Sequence, residues 1–244
     1  MSAAERLIRR HRAAEDEGEP ETLAWDLPTR LFKWALVVLV IAAWVSSGFA
    51  DPDMTVHKAA GYGILTLLVY RVLWGFVGGS TARFASFVSS PSTVLAYVRA
   101  LRAGAARRYL GHNPAGGLMI LGLLAACLIQ VALGLCSTDG VMASGPFADA
   151  IGDTWAARAA TLHAAWFYVI LGLAVVHIAV NLFYQLIKKE NLIGAMITGR
   201  KAASVYPDGR VAQRGSNAVA LACLGVAAAL VYLGVVLPGG HFFS

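Results

Sequence analysis

The sequence predicts an all-α membrane protein, and three observations carry that prediction. Hydrophobic residues make up 58% of the 244 and charged residues only 14%, with mean hydropathy +0.63. A soluble domain carries nearer a quarter charged residues. Five apolar runs approach or exceed the roughly 20 residues that a helix needs to cross a bilayer. Basic residues, finally, collect in alternate connecting segments.

The elements follow in order. Residues 1–24 form a polar arm, too long and too acidic for a signal peptide. It sets Arg6, Arg9, Arg10 and Arg12 against Glu15, Asp16, Glu17, Glu19 and Glu21, and is expected to be mobile or to face a partner. The apolar runs cover 31–50, 57–77, 118–136, 160–187 and 219–237. The fourth is long enough for its ends to project beyond the hydrocarbon. A tight acidic turn, 51–56, separates the first two runs. A basic loop, 78–116, holds a surface helix over 94–101. A loop with Gly and Asp spans 137–159, and a polar, basic segment spans 188–216.

Charge sets the orientation. Lys and Arg number six up to Lys33, five in the 78–116 loop and six in 188–216. The alternate segments hold only Lys58 and Arg158, near helix ends. By the positive-inside bias, the N-terminus is cytoplasmic and the C-terminus periplasmic, in a bacterial inner membrane. The net charge of +6 is thereby a matter of topology, and no nucleic-acid partner is expected.

Cys127, Cys136 and Cys223 form no CxxC or CxxCH arrangement. Zinc, iron–sulfur and covalent c-type heme sites therefore lack their usual signals. Cys127 and Cys223 read as small hydrophobes within apolar runs.

Histidines inside a membrane are costly and face the bundle interior with a partner. His11, His112 and His241 fall in tails or loops. His57 opens the second run, His163 lies near the same membrane face in the fourth, and His177 follows 14 residues later. Fourteen residues fall about 40° short of four helical turns, so His163 and His177 share a face roughly 21 Å apart. That spacing suits two ligands addressing two macrocycles stacked through the membrane. His57 and His163, at matching depth, suit a clamp on one iron. Gly61, four residues after His57, and Gly172, between His163 and His177, let a flat ring approach the backbone. Buried histidines bonded to backbone are the plainer alternative, and zinc is disfavoured because no cysteine or carboxylate joins the group.

Several motifs, in order, resemble a known family. Arg30-Leu31-Phe32-Lys33-Trp34 resembles the RxFHW opening of bacterial di-heme cytochrome b561 and of the cytochrome b subunits of nickel–iron hydrogenases. His57-Lys58-Ala59-Ala60-Gly61-Tyr62 resembles its HxxxGY. The runs 71–78 and 107–117 resemble its cytoplasmic loop landmarks, and His163, His177 and the segment 195–201 complete the likeness.

The resemblance implies a four-helix heme-binding transmembrane bundle over 25–201. Residues 202–244 add a linker and a fifth C-terminal transmembrane helix. It implies two b hemes, one bound by His57 and His163, the other by position 33 and His177. Lys33 stands where the family has histidine. Three outcomes are open: Lys33 ligates iron as a neutral amine, the heme is five-coordinate on His177 with Lys33 on a propionate, or that heme is absent. The retained Trp34 and flanking motif favour a retained heme. Arg30 and Arg71 are propionate candidates beside it, and Arg158 beside the other. Trp34, Trp74 and Trp166 pack on rings or join interfacial belts, the belt being expected for Trp74.

The function so implied is a membrane b-type cytochrome passing electrons between the quinone pool and a redox protein, such as a cytochrome c or a dehydrogenase subunit. A quinone oxidoreductase subunit is one form of this. The alternative is a heme-containing anchor subunit of a larger redox complex. A homodimer or a larger complex is expected. A proton-relaying transporter would carry inverted repeats, and none is evident.

Overall fold

The computed structural model describes residues 20–48, 54–141, 143–203, 206 and 212–238. Residues 1–19 of the N-terminal arm, half of the 51–56 turn, and His11 and His241 lie outside the described residues. Five helices are long and apolar enough to cross a membrane: α1 Leu27–Gly48, α2 Thr55–Val77, α5 Pro114–Leu135, α7 Asp153–Leu186, and α9 Asn217–Val231 continued by a π-helical turn to Val236. Short helices α3 Phe84–Phe87, α4 Pro91–Arg102, α6 Ala148–Ile151 and α8 Leu192–Thr198 lie between them.

The helices start earlier than hydropathy alone indicates because polar caps open them. Asp26 precedes α1 and its Oδ1 accepts from Thr29 N at 3.0 Å, satisfying one of the backbone donors that a helix start leaves open. Asn113 caps α5 by accepting from Gly116 N at 2.7 Å, with Pro114 in the first turn, where a missing N–H costs nothing. The loop helix α4 is likewise capped by Ser90 ahead of Pro91. In α7 the extension reaches back to Asp153.

α1 packs along α2, α5 along α7, and α9 against α2, while α2 also meets α5. Among the described residues, α7 has no extended backbone packing against α1 or α2. A gap thus runs between the α1–α2 pair and α7, and only Ala156, Ala159, Ile170 and Tyr184 of α7 are buried. One apolar cluster gathers Ile64, Leu65, Leu68, Cys127, Val131, Ile170 and Val231, and a second gathers Phe32, Tyr70, Trp74 and Ala227.

Two further features tie the Lys33 end together. A two-stranded antiparallel sheet pairs β1 Glu21–Leu23 with β2 Arg200–Ala202, joining the end of the polar N-terminal arm to the polar, basic 188–216 segment at the end of the core. The Asp26 carboxylate also accepts from Gly79 N at 3.2 Å and Gly215 N at 3.3 Å. Trp74, expected in an interfacial belt, is instead fully buried and donates from Nε1 to Thr29 Oγ1 at 3.1 Å. Covered by α9 and the segment before it, it reaches neither lipid nor water.

Candidate heme sites

His57 lies in the first turn of α2, facing α1, and its Nδ1 is 2.8 Å from the Ala43 carbonyl. His163, on α7, places Nδ1 2.9 Å from the Gln130 carbonyl of α5. A carbonyl only accepts, so both imidazoles carry their proton on Nδ1 and Nε2 becomes the lone-pair nitrogen. Metal-ligating histidines are oriented by this arrangement. The two rings stand 5.9 Å apart, centre to centre, at 78°. Histidine–metal bonds of about 2 Å on both sides of one ion put two imidazole centres roughly 6 Å apart.

Both histidines line a cavity of about 590 Å³, within the range of pockets that hold cofactors. Its walls are largely apolar, with Val40, Trp44, Ile64, Phe167 and Ile170, and its rim includes Lys58, Ser137 and Asp139. Gly61 belongs to this lining, and a Cβ there would meet nothing within 4 Å. Gly172 is outside the lining and exposed on α7. Arg158 is outside it as well, stacked over Trp155 at 4.8 Å, so Lys58 is the cation at the cavity.

Two residues that sequence reasoning missed shape His163. A Cβ on Gly134 would come within 2.9 Å of His163 Cε1, so only glycine admits the ring at its observed place. Gln130 approaches the ring with its side chain too, Nε2 standing 3.3 Å from His163 Nε2. Neither carries a motif signal, because both roles depend on which face of α5 meets α7.

The opposite end is built differently. His177 is half-buried on α7, and Lys33 lies within electrostatic reach of it. The Lys33 ammonium donates toward Met196 Sδ at 2.9 Å and sits over the Trp25 ring at 4.5 Å. Arg71 is 3% exposed; its Nη2 donates to the Ala82 carbonyl at 2.9 Å, and its guanidinium packs on Phe84 and Phe87. Arg30 donates to the Ile197 carbonyl and lines a separate cleft with Arg200 and Arg214.

His112, read from sequence as a loop residue, lies between Trp25 at 4.7 Å and Phe87 at 5.1 Å, centre to centre. Both its ring nitrogens are buried, and among the described residues neither has a hydrogen-bond partner. Burial first, then the charges of Lys33, Arg71 and Lys201, holds its pKa well below the ordinary imidazole range. A segregated Lys–Glu contact lies nearby, Lys201 Nζ to Glu190 Oε1 at 3.4 Å.

The residues fit a porphyrin. Among the described residues no three His, Cys, Asp or Glu side chains converge, whereas a porphyrin asks the protein for axial ligands only. Two oriented histidines beside a cavity of this size meet that need at the His57 end. Buried, unsatisfied donors of Arg71 and His112 meet the need of an anionic macrocycle at the other.

Comparison with known proteins agrees. The family described as prokaryotic cytochrome b561 matches residues 24–199. No curated protein and no solved structure matches the chain. The matched span takes in α1, α2, α5 and α7 with both histidine-bearing ends, and it leaves α9 outside. The chain belongs to the prokaryotic cytochrome b561 family and is a multi-pass membrane b-type cytochrome of electron transfer.

Proposed function

We propose that the chain carries electrons through a bacterial inner membrane between the quinone pool and a redox partner protein, using b hemes at the two ends of its bundle. The observation that carries this reading is the His57–His163 pair, 5.9 Å apart with both Nδ1 atoms tied to backbone carbonyls. Bound there, heme b supplies a one-electron couple. His57 and His163 would hold it from two sides, an arrangement that would favour a low-spin carrier closed to gases. Ala43 and Gln130 hold the imidazoles in the tautomer that ligation needs.

The positive-inside bias supports a cytoplasmic N-terminus, which sets the His57 end at the periplasm and the Lys33 end at the cytoplasm. His177 would hold the second heme, roughly 21 Å from His163 along α7. Lys33, held on Met196 and Trp25, lies within electrostatic reach of His177 at the same end. The 25–201 core does this work, while the 1–24 arm and the 202–244 segment with α9 offer docking elements. That last feature supports a second reading, a heme-bearing anchor within a larger redox assembly, because α9 is packed on α2 outside the matched span.

A pyridine hemochrome assay with low-temperature spin-state spectra of the purified protein tests the proposal. Two b hemes per chain, one of them low-spin and bis-histidine, is the expected result. A heme-free protein overturns it.

A further inference from the structure

At the Lys33 end three polar groups are threaded on two aromatic rings. Lys33 and His112 both pack on Trp25, at 4.5 and 4.7 Å, and His112 and Arg71 both pack on Phe87, at 5.1 and 5.6 Å. The order Lys33, Trp25, His112, Phe87, Arg71 joins α1, the segment before it, the segment between α4 and α5, α3 and α2. Three cations, Lys33, Arg71 and Lys201, act on His112, and the carboxylate that pairs with one of them, Glu190, belongs to Lys201.

Arg71 is the least tolerable member on its own. It is 3% exposed, yet Nη1 has no partner among the described residues. The Asp26 carboxylate acts on its charge, yet Asp26 spends its oxygens on the backbone N–H groups of residues 29, 79 and 215 and forms no ion pair with Arg71 among the described residues, and a buried donor left unmade carries a penalty. His112 adds one N–H donor that is equally unsatisfied. An incoming carboxylate satisfies both kinds of deficit, accepting from the guanidinium fork and from an imidazole N–H.

We propose that Arg71 and His112 hold the propionate carboxylates of the heme bound at His177. The inference rests on the proposed second heme, and it names His112 as a positioning residue. It also explains how that heme is retained when position 33 is lysine. Two carboxylate anchors replace the positional hold that a second axial histidine gives, and Lys33 remains on Trp25 and Met196.

The test uses the full-length protein carrying heme labelled with carbon-13 at the propionate carboxyls. Redox-difference infrared spectra of the wild type should show label-sensitive carboxylate bands from the heme that His177→Ala removes. Arg71→Gln and His112→Phe should each shift those bands. His112→Gln, which restores an N–H donor, should return them toward the wild type. Arg71→Gln should also lower the midpoint potential of that heme alone, because removing a nearby positive charge favours ferric iron. Retention of the His57–His163 heme in each variant confirms a folded bundle.

Unshifted bands and potentials in both variants overturn the proposal. So does an anionic phospholipid that co-purifies with the wild type and is lost from both variants while the bands stay fixed, since the seat then takes a lipid phosphate. A heme count that His177→Ala leaves unchanged removes the second heme itself, and the count separates that failure from the others.

Discussion

Gln130 meets His163 twice, its backbone carbonyl 2.9 Å from Nδ1 and its side-chain amide nitrogen 3.3 Å from Nε2. The first contact fixes the tautomer, and the second occupies the nitrogen that ligation requires. A heme held by His163 would displace that amide from Nε2 while leaving it nearby. Gln130→Glu puts a negative charge at that place, which stabilises ferric iron. Potentiometric titration should show a lower midpoint for the bis-histidine heme, with the other heme unmoved. An unchanged midpoint would place the side chain away from the iron.

Gly134→Val tests the close approach on the other side of the same ring. The added Cβ meets His163 Cε1 at 2.9 Å, so either the ring leaves or α5 and α7 separate. Overpacking of this kind costs about 1–3 kcal/mol. Low-temperature electron paramagnetic resonance should show the low-spin bis-histidine signal lost or replaced by a high-spin one. An intact low-spin signal at full occupancy counts against the observed ring position.

Lys33→His installs the histidine that the RxFHW resemblance implies at this position. The ammonium that bridges Met196 and Trp25 gives way to an imidazole directed toward His177. The second heme should convert to a bis-histidine, low-spin signal and change its potential. The His57–His163 signal should not respond. If the signal of the second heme stays as it is, position 33 has no access to that iron.

Glu190→Gln removes the charge that Lys201 faces. The Lys201 side chain is 4% exposed, and an uncompensated buried charge costs about 3 kcal/mol. Thermal unfolding in detergent should reveal the loss, with most of it recovered in the double variant Glu190→Gln, Lys201→Met. Burial holds Lys201 below its usual value of 10.5, against the opposing pull of Glu190. Between the depressed value and 10.5 the unfolded chain binds the extra proton, so stability rises with pH through that window. Lys201→Met should flatten this slope; a slope that persists assigns it to another group.

The membrane architecture was legible in the sequence because five apolar runs need no tertiary knowledge to read. Their polar ends were not, since Asp26, Asn113 and Asp153 lower the hydropathy at helix starts while forming or continuing those starts. The His57–His163 pair followed from depth matching on opposed helices, and the structure brings the rings together. His112 escaped because it sits before a helix and has no periodicity. Only the fold shows that Trp25 and Phe87 close around it. Gly134 and Gln130 escaped for a related reason, as their role depends on which face of α5 meets α7. Trp74 was misread because an aromatic near a helix end is ambiguous until a fifth helix covers it.

One carboxylate finally sets a clock on how this protein is made. Asp26 binds backbone donors at residues 29, 79 and 215, so the beginning of the first span is fastened to the beginning of the last. That fastening forms only once residue 215 has left the ribosome. Until then Trp74 and the adjoining face of α2 lack the cover that Ala220 and Ala227 of α9 give them.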